Sequence, residues 1–352
     1  MVGVVAVSGL CGCGSTGNPQ NDVVLDAAQD VGPDAEPDVA SPYPMDDVIR
    51  MNQIQIVATH NSYHIAPEWE DPLPESNYTQ PPILDQLETF KVRQLELDIW
   101  ENEENVFNCY HGIFADEGSR CRNIVDCLTV AKGWSDKNPA HVPLIFIIEI
   151  KALYGADYND LEGVLTSGFF DRLHTMFTDV FPADRIITPD TVRGSGETLA
   201  GTLMERGWPT LGESRGKIMI VLNTTSDRIA IKNAYVQKYP GLKGALMFAK
   251  DGPDDGWGSV VELNNVERDQ DAIEAAVAKN YLIRSAADAI TWDDAQIAKL
   301  APLTPTTGVN WINTDFLTAQ PRGDYVFMWP SEYPVRCNPV NAPDGCEDWM
   351  LE

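Results

Sequence analysis

The chain has 352 residues, with 53 acidic side chains against 25 basic ones and a formal charge of -28 at neutral pH. That length allows one large α/β domain, and a hydrophobic share of 43% supports a packed core over most of it. The charge balance argues against an electrostatic grip on nucleic acid, and no apolar run reaches the roughly 18–20 residues of a membrane-spanning helix.

Residues 1–14 are small and apolar, leading into Leu10-Cys11-Gly12-Cys13. They resemble the end of a bacterial lipoprotein signal in which Cys13 becomes the lipidated residue, although the basic start of such a peptide is missing. Residues 15–48 are expected to form a flexible acidic linker. Ser15 to Asp47 contains no Lys or Arg, and Asp22, Asp26, Asp30, Asp34, Glu36 and Asp38 recur among Pro and Ala. Such a composition buries too little apolar surface to offset its ordering entropy.

From residue 49 to 352 short β-branched runs alternate with longer amphipathic stretches. Strands are expected at 53–58, 92–100, 106–110, 144–151, 217–222, 245–249, 281–285 and 309–313, and helices at 83–90, 160–177 and 269–279. About eight strands over roughly 300 residues favour a (β/α)8 barrel over an open doubly wound sheet. The glycine-rich dinucleotide fingerprint of the open sheet is missing after the first strand.

Polar residues fall at the ends of the first four strand candidates, which is the catalytic rim of such a barrel. The first exits through Thr59-His60-Asn61-Ser62. In the second, Glu96 and Asp98 share a face because strand side chains alternate. The third ends Cys109-Tyr110-His111-Gly112 and brings a second imidazole to the same rim. The fourth, Leu144 to Lys151, buries Glu149 in an apolar run, so that carboxylate needs a cation, and Lys151 two residues on can be its ion-pair partner.

Asn61, Glu96, Asp98 and Glu149 supply hard oxygen donors and no thiolate, a set suited to Ca²⁺ or Mg²⁺. His60 and His111 then stay available for proton transfer and for contact with substrate charge, an arrangement suited to attack at phosphorus. His64, His141 and His174 are read as surface or packing histidines. Of the seven cysteines, Cys337 and Cys346 bracket a turn-rich tail and are the best pair, while Cys109, Cys121 and Cys127 leave one over.

The run Thr59-His60-Asn61-Ser62-Tyr63, with Glu96-Leu97-Asp98, His111-Gly112 and Glu149, resembles the calcium-dependent phosphoinositide-specific phospholipase C family. The likeness continues through 187–194, 207–217, 283–289 and 313–315. It implies a distorted barrel holding Ca²⁺, ahead of Mg²⁺, through Asn61, Glu96, Asp98 and Glu149. It also implies cleavage of phosphatidylinositol at a membrane surface to diacylglycerol and inositol cyclic phosphate. His60 would stabilise phosphoryl charge, His111 would act as general acid and then base, and Glu96 is the first base on this reading. Lys151 and Arg284 are substrate contacts or ion-pair partners, and Trp69, Leu73 and Tyr78 in the loop after the first strand are candidates for insertion at an interface.

Two other functions fit parts of this pattern. A glycerophosphodiester phosphodiesterase or sphingomyelinase D type barrel also uses two histidines and a Glu-x-Asp pair, but its first strand typically exits through a His-Arg-Gly type motif, where Asn61 follows His60 here. A non-catalytic surface lipoprotein binding a lipid headgroup or calcium is the other, disfavoured by the intact histidines. No protein partner is expected, and the protein is placed outside the cell or in the envelope, anchored through Cys13.

Overall fold

Among the described residues the chain forms β1 (Ile54–Thr59), β2 (Val92–Glu101), β3 (Phe107–Cys109), β4 (Leu144–Ala152), β5 (Ile186–Ile187), β6 (Ile218–Asn223), β7 (Phe248–Ala249), β8 (Val260–Glu262), β9 (Leu282–Ala286), β10 (Trp311–Thr314) and β11 (Val335–Cys337). The structure, a computed structural model, describes residues 42–69, 73–320 and 323–352. The expected signal segment, Cys13 and the linker up to residue 41 lie outside them. Residues 42–48, expected to end the linker, are instead docked: Asp46 pairs with Arg215, whose guanidinium lies 3.7 Å from the centre of the Tyr43 ring.

Parallel ladders join β10, β1, β2, β4 and β6 in that spatial order, and others join β8 to β9 and β9 to β10. β7 pairs with the upper half of β6, and a single parallel bridge, Lys250 to Val260, links the end of β7 to β8. Eight parallel strands thus close into a distorted (β/α)8 barrel. β4 and β6 are apolar along nearly their whole length and almost fully buried, as expected of central parallel strands covered on both faces.

Several sequence expectations are corrected. The run at 106–110 is not a barrel strand: β3 returns antiparallel along the end of β2, with Cys109 opposite Ile99, so His111 reaches the rim from a hairpin. The helix expected at 160–177 is two, Leu161–Thr166 and Phe169–Val180, separated at Gly168, whose φ of 72° is a conformation that glycine adopts without a Cβ penalty. β5 and β8 are too short to leave a periodic signal. The disulfides are Cys337–Cys346, as expected, and Cys121–Cys127, leaving Cys109 free and buried.

The barrel interior is layered. Ile54, Ile56, Ile145, Leu282 and Trp311 fill its lower part. Two to four residues further along the strands the inward side chains turn polar, because the register sets Asp98 opposite Glu149, Glu149 opposite Asn223, and Glu262 opposite Arg284. Leu95, Leu97 and Ile99 alternate with the acids of β2 and are buried in the apolar core.

Candidate active site

The turn after β1 is built by its own side chains. Ser62 donates its backbone N–H to the Glu96 carbonyl, and its hydroxyl accepts from the Glu96 N–H at 2.8 Å, while Thr59 and Ser62 hydroxyls meet at 2.6 Å. These contacts lock the turn to β2 and leave His60 and Asn61 at the strand exit. Asn61 has φ of 43°, a left-handed conformation that asparagine tolerates better than most residues.

Glu96, Asp98 and Glu149 form one buried cluster, each contributing an oxygen within 4.8 Å of the others. Asn61 joins it through Tyr63, whose hydroxyl donates to Asp98 Oδ2 at 2.8 Å and lies 3.4 Å from Asn61 Oδ1. Asp98 Oδ1 is buried without a hydrogen-bond partner, a costly state for a carboxylate oxygen. An oxygen-only donor set, three acids and an orphaned carboxylate oxygen fit a hard cation such as calcium.

Cations of the chain itself already meet these acids. Lys151 Nζ lies 3.0 Å from Asp98 Oδ2 and 2.6 Å from Glu149 Oε1. Desolvation works against its charge, but the two carboxylates outweigh it and raise its pKa. Arg284 bonds Glu96 and, at 2.9 Å, Glu262, which in turn accepts from Lys250 at 2.8 Å. Both cations expected to touch substrate are thus held in ion pairs, although Arg284 Nε is buried and unpartnered. Asn223 Nδ2 sits 3.4 Å from both Glu96 Oε1 and Glu149 Oε2. Burial pushes the Glu96 pKa up, against the pull of Arg284 and His60.

Each rim histidine gives Nδ1 to a carboxylate. His60 Nδ1 is 2.9 Å from Asp315 Oδ1, and His111 Nδ1 is 2.9 Å from Asp116 Oδ2. With Nδ1 donating, Nε2 of each ring is left for chemistry. The His60 and His111 side chains remain 39% and 30% exposed, enough for a ligand to reach them. Partial desolvation opposes charge on His60, but Asp315, by its charge and hydrogen bond, and Glu96 raise its pKa to about 9. Asp315 is itself held by the Ile290 N–H at 2.8 Å.

Two readings of single residues change. Tyr78 is fully buried, accepting from Asn61 Nδ2 at 2.9 Å, so it is not an insertion residue, whereas Trp69 and Leu73 are exposed. His64 is no ordinary packing histidine: it is fully buried, and its Nε2 meets Asp116 Oδ1 at 2.8 Å. His141 and His174 do pack in the body of the fold, against Trp134 and against Tyr235 and Tyr239. Asp116, Asp315, Asn223, Glu262 and His64 were missed by sequence reasoning. Asp315 lay in a run already matched to the family, Asn313-Thr314-Asp315, so its position at the end of β10 was the available signal.

The profile of the family described as phosphoinositide phospholipase C, Ca²⁺-dependent, matches residues 49–107 and 103–339. Among solved structures, a calcium-dependent phosphoinositol-specific phospholipase C from a Gram-negative Pseudomonas species is similar with a TM-score of 0.56 and 21% identity, over 84% of this chain and 98% of that one. A myo-inositol complex of that enzyme gives 0.55 at 21% identity over the same shares, 84% and 98%. A Ca²⁺-dependent phosphatidylinositol-specific phospholipase C from Streptomyces antibioticus gives 0.53 at 15% identity, over 76% and 95%. Curated proteins gave no match. The structural neighbours establish the shared fold, and the family match across most of the sequence establishes membership: the chain belongs to the calcium-dependent phosphoinositide phospholipase C family and is a phosphodiesterase.

Proposed function

We propose that the protein cleaves phosphatidylinositol, or a close relative, to diacylglycerol and an inositol cyclic phosphate. The observation that carries this reading is the pair of carboxylate-oriented imidazoles, His60 and His111, at the same end of the barrel as the buried acids Glu96, Asp98 and Glu149. Asn61, Glu96, Asp98 and Glu149 would hold a calcium ion, which when bound acidifies the inositol 2-hydroxyl and draws charge from the phosphoryl oxygens.

Glu96 takes the proton of the inositol 2-hydroxyl as that oxygen bonds to phosphorus. The bond from phosphorus to the glycerol oxygen breaks, and His111 Nε2 gives its proton to that oxygen. His60, with its pKa near 9, is charged at neutral pH and offsets the charge gathering on the phosphoryl oxygens. Water, deprotonated by His111 Nε2, then bonds to phosphorus, the bond from phosphorus to the inositol 2-oxygen breaks, and that oxygen takes back the proton held by Glu96. Lys151 and Arg284 are the candidates for contact with phosphate or inositol hydroxyls.

Exposed apolar side chains in the rim loops support work at a lipid surface. Trp69 and Leu73 follow β1, Ile113 and Phe114 follow His111, and Phe114 is 88% exposed. No helix among the described residues is long and apolar enough to cross a membrane. The two disulfides and the signal-like start support export, with attachment through Cys13.

Phosphorus NMR of phosphatidylinositol vesicles with the protein tests the proposal. The expected product is an inositol 1,2-cyclic phosphate signal that disappears with a calcium chelator. Glycerol phosphate, or a cyclic lysolipid or ceramide phosphate from the corresponding lipid, would instead support the other phosphodiesterase reading.

A further inference from the structure

His64 plays no part in the chemistry above, yet it lies at the junction of the two halves of the site. Its ring is fully buried. Nδ1 faces the Tyr78 carbonyl at 2.8 Å and Nε2 faces Asp116 Oδ1 at 2.8 Å, so both nitrogens are engaged. The other oxygen of Asp116 meets His111 Nδ1 at 2.9 Å. One carboxylate therefore serves two imidazoles, one oxygen to each.

On its other side the His64 ring stacks on Tyr78 with centroids 4.4 Å apart, and Tyr78 is also fully buried. The Tyr78 hydroxyl accepts from Asn61 at 2.9 Å and lies 3.4 Å from His60 Nδ1. The backbone reinforces the link. His64 and Ser119 form an antiparallel bridge, and Ile65 N–H bonds the Gly118 carbonyl at 3.2 Å. That approach needs glycine at 118, where a Cβ would lie 2.0 Å from the Ile65 carbonyl oxygen. The loop carrying His111 and Asp116 is thereby sewn to the turn carrying His60 and Asn61.

We propose that His64 is a positioning residue: by holding one oxygen of Asp116 and stacking on Tyr78, it fixes the tautomer and placement of His111 relative to His60. The role rests on the phosphodiesterase reading of those two histidines. Without His64, Asp116 keeps Ser76 as its remaining side-chain partner besides His111, one of its oxygens loses its imidazole, and the carboxylate that keeps hydrogen on His111 Nδ1 is held less firmly.

The experiment uses the full chain, with nitrogen-15 NMR of the imidazoles and kinetics on phosphatidylinositol in mixed micelles. In the unmutated protein His111, when neutral, is expected as the Nδ1–H tautomer alone. In His64→Phe, which keeps the ring stack but offers Asp116 no donor, the His111 signals should report a tautomer mixture. kcat should fall about 10- to 100-fold with KM changed by less than about threefold. His64→Gln, which can still donate to Asp116, should recover most of the loss. Adding His64→Phe to Asp116→Asn should lower kcat no further than Asp116→Asn alone.

A neutral His111 that carries its hydrogen on Nε2 in the unmutated protein overturns the proposal whether or not any variant folds. So do a folded His64→Phe with unaltered tautomer and kcat, or full additivity with Asp116→Asn. The tautomer is read without substrate, so a fixed Nδ1–H together with no turnover of phosphatidylinositol supports the positioning role and counts against the substrate reading alone.

Discussion

Replacing Lys151 with Met probes the acid cluster directly. The ammonium lies 3.0 Å from Asp98 and 2.6 Å from Glu149, and the Lys151 side chain is only 11% exposed. Methionine preserves much of the volume but leaves buried carboxylates facing one another with a cation removed. Breaking a buried pair in this way costs about 3–5 kcal/mol. For a domain of this size that corresponds to a fall in Tm on the order of 10 °C. Calcium at about a hundred times its Kd stabilises by roughly 2.7 kcal/mol, and it should do more for the variant, where no ammonium competes for Asp98 and Glu149. The assay is thermal unfolding of both proteins with chelator and with calcium. A variant as stable as the unmutated protein in chelator, or a calcium shift no larger than the unmutated one, would refute the idea that these acids need a cation.

Other predictions touch different parts of the fold. His111→Ala should reduce kcat by about 10²- to 10⁴-fold while calcium binding, followed by calorimetry, stays intact; loss of both together would remove His111 from the acid role. Phe114→Ser should weaken binding to phosphatidylinositol vesicles by up to about 2 kcal/mol, roughly 30-fold, as read by sedimentation, and equal binding would move the docking face elsewhere. Burial lowers the His141 pKa to about 4, so the unfolded chain takes up a proton that the folded one refuses. The associated stability is present above about pH 6.5 and is lost progressively toward pH 4, by roughly 3 kcal/mol in all. Urea melts should show that slope flattened in His141→Gln, and an identical slope would exclude His141 as its source. Reducing either disulfide, Cys121–Cys127 or Cys337–Cys346, should cost about 2–3 kcal/mol from loop entropy, measurable as a lower denaturation midpoint.

Local pattern carried the acids and the outline of the barrel. Glu96 and Asp98 sit two apart in a strand, as do Glu149 and Lys151, and strand geometry alone puts each pair on one face. The pairing of Cys337 with Cys346 was legible for a similar reason, since a short turn-rich segment can bring its own ends together. What stayed hidden depends on register and on irregular loops. Asp116 lies in a tight loop closed by a Gly112–Asp116 bridge, and nothing in the sequence ties it to His64, 52 residues earlier. Asn223 and Glu262 enter the site only because β6 and β8 stand where they do around the ring. The direction of β3 was equally invisible, because an apolar run of that length has no intrinsic orientation.

The narrow closure between β7 and β8 has a consequence for the charged interior. Elsewhere the cylinder is held by ladders of two or more paired residues, but this join depends on the single Lys250–Val260 bridge and on the Lys250–Glu262 ion pair. Thermal breathing should concentrate there, and amide protons of 248–262 should exchange with deuterium sooner than those of β4. Glu262 also holds Arg284, which neutralises Glu96. A momentary parting of the staves would therefore reach the proposed proton acceptor through two electrostatic links, making the least cohesive edge of the scaffold a place from which the basicity of Glu96 can be tuned.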